Sequence, residues 1–102
     1  MTNEKILDVL KVYVGLLEAR KRIARRIDER ETVSRLQQEC HLLWMCCETA
    51  VFVSDDRIEK AMRWLGFIQG ALWVMGFRTI EQMKRDNMPD GSNYDPDNVK
   101  GP

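Results

Sequence analysis

Residues 16–65 read LLEARKRIARRIDERETVSRLQQECHLLWMCCETAVFVSDDRIEKAMRWL and contain neither glycine nor proline. Leu, Arg, Glu, Lys, Gln and Met, which favour helices, fill much of the stretch. Glycine and proline mark the turns between short helices and strands, so a stretch without them indicates long helices. The sequence therefore predicts an all-α fold.

The helix that leads into this stretch is predicted from apolar residues that recur at steps of three and four over residues 6–27. This spacing places them on one face of an amphipathic helix of roughly seven turns. The pattern becomes polar after Ile27, so we expect a turn near residues 30–32. A continuous helix that switches faces is the alternative. The second helix is predicted from an apolar stripe formed by Val33, Leu36, Cys40, Leu43, Cys47 and Ala50.

The third helix is predicted to begin at residues 54–56, where the sequence is Ser-Asp-Asp. Asp56 and Glu59 have the spacing of a capping box, in which each side chain accepts a backbone hydrogen bond at the helix start. The helix is predicted to end near Met75, because Gly76 is typical of the residue that follows a helix.

A short fourth helix is predicted from a second capping box, Thr79 with Gln82, and ends before Pro89. When a short chain forms several helices that each have one apolar face, these faces are buried against one another. The sequence therefore predicts three main helices plus a short fourth, arranged as a helical hairpin or bundle in a single helical domain over residues 1–88. The polar residues 89–102 are predicted to be a flexible, disordered acidic C-terminal tail.

Charge and hydropathy exclude some classes of protein. Sixteen basic and sixteen acidic residues give a formal net charge of zero, which excludes a strongly basic histone-like or ribosomal protein. The longest uncharged run, residues 64–77, is shorter than the roughly twenty residues that span a bilayer. Residues 1–5 lack the basic start of a signal peptide. We therefore expect a cytoplasmic protein that does not bind membranes.

Cys40, His41, Cys46 and Cys47 are candidates for metal binding or nucleophilic chemistry. Cys40 and Cys47 lie two helical turns apart, which does not suit a zinc site on one helix. The adjacent Cys40 and His41 diverge by about 100° on a helix, so they cannot form a nucleophile and base pair. We expect no metal, no cofactor, no small-molecule substrate and no catalytic residue, and so a protein that is not an enzyme.

A basic cluster lies near the end of the predicted first helix. A basic helix face can follow the phosphates of a nucleic acid or bind an acidic patch on a protein. No aromatic residue interrupts the cluster to stack on bases, and neighbouring carboxylates offset part of its charge. Nucleic-acid binding is therefore the alternative function, and the residues that would carry it are Lys21, Arg22, Arg25, Arg26 and Arg30.

The third helix carries a second apolar face in addition to the one that anchors it to the core. A helix with apolar residues on every side is normally buried on every side. A domain of this size can hardly enclose one of its own helices in this way. The alternative is that the first two helices bury both faces. We predict that the second face binds a protein partner or another copy of the chain, through Trp64, Phe67, Gly70, Ala71, Val74 and Phe77.

Residues 63–89, RWLGFIQGALWVMGFRTIEQMKRDNMP, resemble a segment of small helical accessory proteins of tailed bacteriophages. The resemblance covers about a quarter of the chain and carries over no functional residue. It implies a phage-encoded protein that acts in the host cytoplasm. It also implies that the chain binds a host protein, such as part of a defence system, and inhibits or redirects it.

Overall fold

The structure is a computed structural model and describes residues 1–30 and 32–89. Within these two ranges there is no β-strand. The helices there are α1 (Asn3–Glu18), α2 (Arg35–Ser54), α3 (Ile58–Val74) and α4 (Ile80–Asn87). The predicted all-α fold of three main helices and a short fourth is confirmed. The predicted tail, residues 89–102, lies outside the described residues except for Pro89.

The helix α2 is central, because it packs along both α1 and α3, whereas α1 and α3 make little contact with each other. Large apolar side chains from all three helices fill the space between them. Removing each of these from water contributes about 1.5–3 kcal/mol to stability. The most deeply buried of them are Ile6, Tyr13, Leu17, Leu65, Ile68 and Leu72. None of the helices in residues 1–30 and 32–89 combines the length and hydropathy needed to cross a membrane.

Polar side chains attach the short helix α4 to the bundle. The Tyr13 hydroxyl donates to Asp86 Oδ2 (2.8 Å) and accepts from Gln69 Nε2 (2.9 Å). Arg78 forms a two-pronged ion pair with Asp86. Burial, the largest effect, raises the pKa of Tyr13, so its hydroxyl keeps the proton that it donates. The result is a satisfied polar cluster among α1, α3 and α4.

Residues in the left-handed conformation follow three of the helices. Lys21 (φ 61°) follows α1, Asp56 (φ 59°) follows α2, and Gly76 (φ 81°) follows α3. At each, the N–H of the next residue donates to a carbonyl in the last turn of the helix, as Arg57 does to Phe52 (2.8 Å). The predicted cap at Gly76 is confirmed.

The start of α3 differs from the prediction. Its N-cap is Arg57, whose side chain makes no capping hydrogen bond, so the predicted capping box of Asp56 and Glu59 is wrong. The physical reason is that Asp56 closes α2 in a left-handed conformation and cannot also take the extended backbone of an N-cap. The capping box predicted for Thr79 and Gln82 is confirmed at the start of α4.

The predicted first helix over residues 6–27 is wrong beyond Glu18. The chain does turn at Glu29 and Arg30, at the edge of the turn predicted for residues 30–32, and Glu31 lies outside the described residues. The described residues between α1 and α2, 19–30 and 32–34, which we call the strap, leave the helical path and run against α2. The Arg25 N–H donates to the Cys40 carbonyl (3.1 Å). Beyond Lys21 the chain turns towards α2, and polar groups of α2 form hydrogen bonds with the strap.

The buried face of α2 also differs from the predicted stripe of Val33, Leu36, Cys40, Leu43, Cys47 and Ala50. Of these six residues Leu43 is buried, Leu36 and Cys47 are exposed, and the others are half-buried. The reason is that α1, α3 and the strap cover α2 from several directions, so its buried positions do not form one stripe. They are Glu39, Leu42, Leu43, Met45, Cys46, Thr49, Phe52 and Val53.

The variant Lys21→Gly is expected to raise the free energy of unfolding by roughly 0.5–1 kcal/mol. Lysine in a left-handed conformation is strained, and glycine removes the strain at some entropic cost in the unfolded chain. Urea denaturation followed by circular dichroism measures the change. Gly76→Ala is the matched control and should lower stability by about 1 kcal/mol, because alanine has to adopt the left-handed conformation there. A loss of stability in Lys21→Gly would contradict this account of how α1 ends.

Candidate functional site

A buried carboxylate attaches the strap to the helices. Glu39 of α2 is fully buried and accepts from Arg20 Nε (2.6 Å), Arg22 Nε (3.1 Å) and Arg35 Nε (3.1 Å). Burial by itself raises the pKa of Glu39, but the hydrogen bonds and charges of Arg20 and Arg22 outweigh it and lower the pKa below its ordinary value. Glu39 is therefore ionised, and it holds the beginning of the strap against α2.

The same arginines enclose Phe77, which follows α3. The Arg20 and Arg35 guanidinium carbons lie 5.2 and 5.6 Å from the centre of the Phe77 ring. Arg35 Nη2 also donates to the Met75 carbonyl (2.7 Å) at the end of α3. The predicted partner-binding residue Phe77 is therefore half-buried among these groups, where it links the strap, α2 and α3.

The middle of the strap is held by His41. Its Nδ1 accepts a hydrogen bond from the Ile27 N–H (3.0 Å), and its ring lies against Trp44, with 5.3 Å between ring centroids. Arg26 of the strap lies over the same indole, 5.7 Å from the ring centre. Burial and the charge of Arg26 lower the pKa of His41. The neutral imidazole is the form that can accept the Ile27 hydrogen bond.

These contacts produce an open groove between the strap, α2 and α3, with a volume of about 840 Å³. Its lining is mostly apolar, with acidic and other polar groups from the strap and α2. The strap contributes Ile27, Asp28, Glu29 and Val33, α2 contributes Arg35, Gln38, His41 and Leu42, and α3 and its C-cap contribute Gly66, Phe67, Gly70, Ala71, Trp73, Val74 and Met75. The size is within the range of protein grooves that receive a ligand or a peptide side chain.

The structure brings together four of the six predicted partner-binding residues, since Phe67, Gly70, Ala71 and Val74 all line the groove. Phe67 has 62% and Val74 has 77% of its surface exposed. Trp64 lies outside the groove and is half-buried. Its ring packs edge-on against Phe52, with 4.8 Å between ring centroids, and also against Trp44.

Sequence reasoning missed the other wall of the groove and one residue of α3. Ile27, Val33 and Leu42 were assigned to helices, and nothing in their spacing placed them opposite α3. Trp73 lies on α3 and is 51% exposed. It could have been found, because it lies three residues from Gly70 and belongs to the same uncharged run as the predicted residues.

The predicted basic cluster is not a helix face, because Lys21, Arg22, Arg25, Arg26 and Arg30 all lie on the strap. Arg22 binds Glu39, and Arg26 lies over Trp44 and 3.8 Å from the Glu29 carboxylate. The Arg30 N–H donates to Asp28 Oδ1 (2.9 Å). The basic side chains are therefore distributed along an irregular segment that also contains the carboxylates of Asp28 and Glu29.

Of the four candidates for metal binding or nucleophilic chemistry, His41 lines the groove and the three cysteines do not. Cys46 is buried, and burial followed by the proximity of Cys47 raises the pKa of Cys46 to about 12. Cys40 is half-buried and Cys47 is exposed. Over residues 1–30 and 32–89, no group of three or more histidine, cysteine, aspartate or glutamate side chains is placed to hold a metal ion.

Comparisons of this chain with models of protein families, with curated proteins and with solved structures find no match. The resemblance of residues 63–89 to phage accessory proteins therefore stays a prediction.

The variant Glu39→Gln is expected to lower the free energy of unfolding by about 1–3 kcal/mol. The amide keeps the shape of the side chain but removes the charge that Arg20, Arg22 and Arg35 surround. Urea denaturation measures the loss. Glu29→Gln is the matched control, because Glu29 is exposed and its ion pair is long, so we expect a change within about 0.5 kcal/mol. Equal effects of the two variants would contradict the role given to Glu39.

Stability should also depend on the protonation of His41. Since the folded state lowers the pKa of His41, its contribution is complete above the ordinary value of about 6.5 and is lost as the pH falls through the lower pKa of the folded state. The measurement is thermal unfolding across this pH range. In His41→Asn the amide oxygen can accept the Ile27 hydrogen bond at every pH, so the pH dependence should become weaker. An unchanged pH profile in this variant would exclude His41 as its source.

Proposed function

We propose that this chain is a non-enzymatic protein-binding module and that it binds an apolar segment of a polypeptide in the groove between α3, α2 and the strap. The observation that carries the proposal is the exposure of Phe67 and Val74 along an apolar groove. Water contact with these side chains is unfavourable, and covering them with a partner would contribute about 25 cal/mol for each Å² of apolar surface that is buried.

The shape of the site supports a helical segment as the bound group. The groove runs between two packed helices, α2 and α3, and an amphipathic helix can lie in such a groove with its apolar side chains inward. Phe67 and Trp73 provide large aromatic surfaces of the kind that dominate binding energy in interfaces. His41 and Gln38 add polar groups that can orient the bound segment.

The alternative, nucleic-acid binding by the basic cluster, has less support. Arg22 is engaged by a buried carboxylate, and Asp28 and Glu29 lie among the other cations. A surface that follows phosphates needs an excess of positive charge, and Glu39, Asp28 and Glu29 offset part of the charge of the six cations in residues 20–30. The proposal therefore places the function in the groove rather than in the basic residues.

The phage resemblance of residues 63–89 adds a context to this proposal. In that context the partner is a host protein, the chain acts in the host cytoplasm, and binding inhibits or redirects the partner. This part of the proposal rests on the resemblance alone. The proposal that the groove is the binding site rests on the geometry of Phe67, Val74 and their neighbours.

The double variant Phe67→Asp/Val74→Asp is expected to abolish association, because charges would replace the exposed apolar surface of the groove. Association is measured by light scattering on the purified chain and by capture of proteins from bacterial cytosol, with circular dichroism to show that the variant is folded. The matched control is Leu36→Asp/Val51→Asp, which changes two exposed apolar residues of α2 that do not line the groove. The control should associate like the unmodified chain. A folded groove variant that keeps every association would overturn the proposal.

A further inference from the structure

We propose that His41 makes the groove dependent on pH: the neutral imidazole holds Ile27 against α2, and the protonated imidazole releases Ile27 from the wall of the groove. This inference rests on the proposed function, because it names how binding in the groove is regulated. Its basis is the hydrogen bond between the strap and α2, in which the accepting atom belongs to a side chain that gains a proton in mildly acidic solution.

The direction of this hydrogen bond decides what protonation does. The Ile27 N–H donates to Nδ1 of His41 over 3.0 Å, so the contact needs a lone pair on the imidazole. Both nitrogens of the imidazolium carry a hydrogen, and two N–H groups would then point at each other. A ring that turns over in place presents a carbon to the Ile27 N–H, so rotation does not restore an acceptor. Protonation therefore breaks the contact.

The surroundings of the imidazole favour its neutral form near neutral pH. Arg26 of the strap lies over the indole of Trp44, which also contacts the His41 ring. Burial, followed by the charge of Arg26, lowers the pKa of His41 from its ordinary value of about 6.5. The contact with Ile27 is therefore present at neutral pH and is lost as the pH falls through the lower pKa of the folded state.

The other charged groups that share the groove with His41 have partners of their own. They are Asp28 and Glu29 of the strap and Arg35 of α2. Glu29 pairs with Arg26 at 3.8 Å, and Asp28 accepts from the Arg30 N–H at 2.9 Å. The residues of α3 that line the groove carry no charge, and α1 contributes nothing to the lining. Among the lining residues, His41 is the titratable group of α2 that is bonded to the strap.

Contacts closer to α1 limit the release to the middle of the strap. The arginines around Glu39 keep the pKa of that carboxyl below its ordinary value, so this ion cluster persists where His41 gains a proton. The Arg25 N–H donates to the Cys40 carbonyl (3.1 Å), which does not titrate. Ile27 has 9% of its surface exposed in the closed arrangement, so its release uncovers an apolar side chain and opens one wall of the groove.

Nuclear magnetic resonance on the full chain tests the inference without a binding partner. His41 is the single histidine of the chain, so its ring signals report one titration. Between about pH 7.5 and about pH 5 we expect the proton on Nε2 of the neutral ring, and a fall of at least about tenfold in the protection of the Ile27 amide from exchange as His41 titrates. The Arg25 amide is the internal control, and its protection should change by less than about twofold.

Two variants hold the strap in one state each. His41→Asn supplies an amide oxygen that accepts at every pH, so the Ile27 amide should stay protected throughout. His41→Leu keeps an apolar side chain without an acceptor, so the Ile27 amide should be unprotected throughout, with circular dichroism to show that the helices are intact. Asp28→Asn/Glu29→Gln is the matched control, because it removes the carboxylates that share the groove, and it should keep the transition.

The outcomes separate this inference from the proposed function. A proton on Nδ1 of the neutral ring, or protection of Ile27 that does not follow the titration of His41, overturns the inference even where the groove captures a protein through Phe67 and Val74. A captured protein should be released from the unmodified chain at about pH 5 and retained by His41→Asn, and equal retention by both overturns the inference. A chain in which Ile27 follows His41 but which captures nothing supports the pH-dependent contact and overturns the proposed function.

Discussion

The ion cluster around Glu39 fixes the path of the chain between α1 and α2. A carboxylate that is fully buried in α2 requires opposite charges and hydrogen-bond donors, since burying it alone would be very unfavourable. Arg20 and Arg22 supply them from a segment just beyond α1, and Arg35 supplies them from α2 itself. The chain therefore leaves the helical path after Glu18, so that these guanidinium groups reach the carboxylate.

The groove is a consequence of this arrangement. Because Glu39 and His41 hold the strap against α2, Ile27 and Val33 are positioned as a wall opposite α3. A continuous first helix would have carried these residues elsewhere and left the outer side of α3 as a convex face. The apolar surface of α3 thus forms one side of a concave site, and Asp28 and Glu29 of the strap line the same site.

The exposed face of α3 also follows from the way the helices share α2. Since α1 and α3 each pack mainly on α2, neither covers the outer side of the other. Phe67 and Val74 consequently stay in solvent, although residues on the opposite side of α3 are buried.

Local signals in the sequence determined the helical class, the short fourth helix with its Thr79 and Gln82 cap, the end of α3 at Gly76 and the excess apolar face of α3. Each of these depends on residues close together in the chain, where propensity and periodicity act. The end of α1 at Glu18, the closure of α2 by Asp56 and the position of the strap across a groove from α3 become visible only in the folded chain. These features arise from pairings such as Arg20 with Glu39 and Ile27 with His41. The energies of such pairings depend on burial by other helices, and the pairings produce no periodic pattern in the sequence.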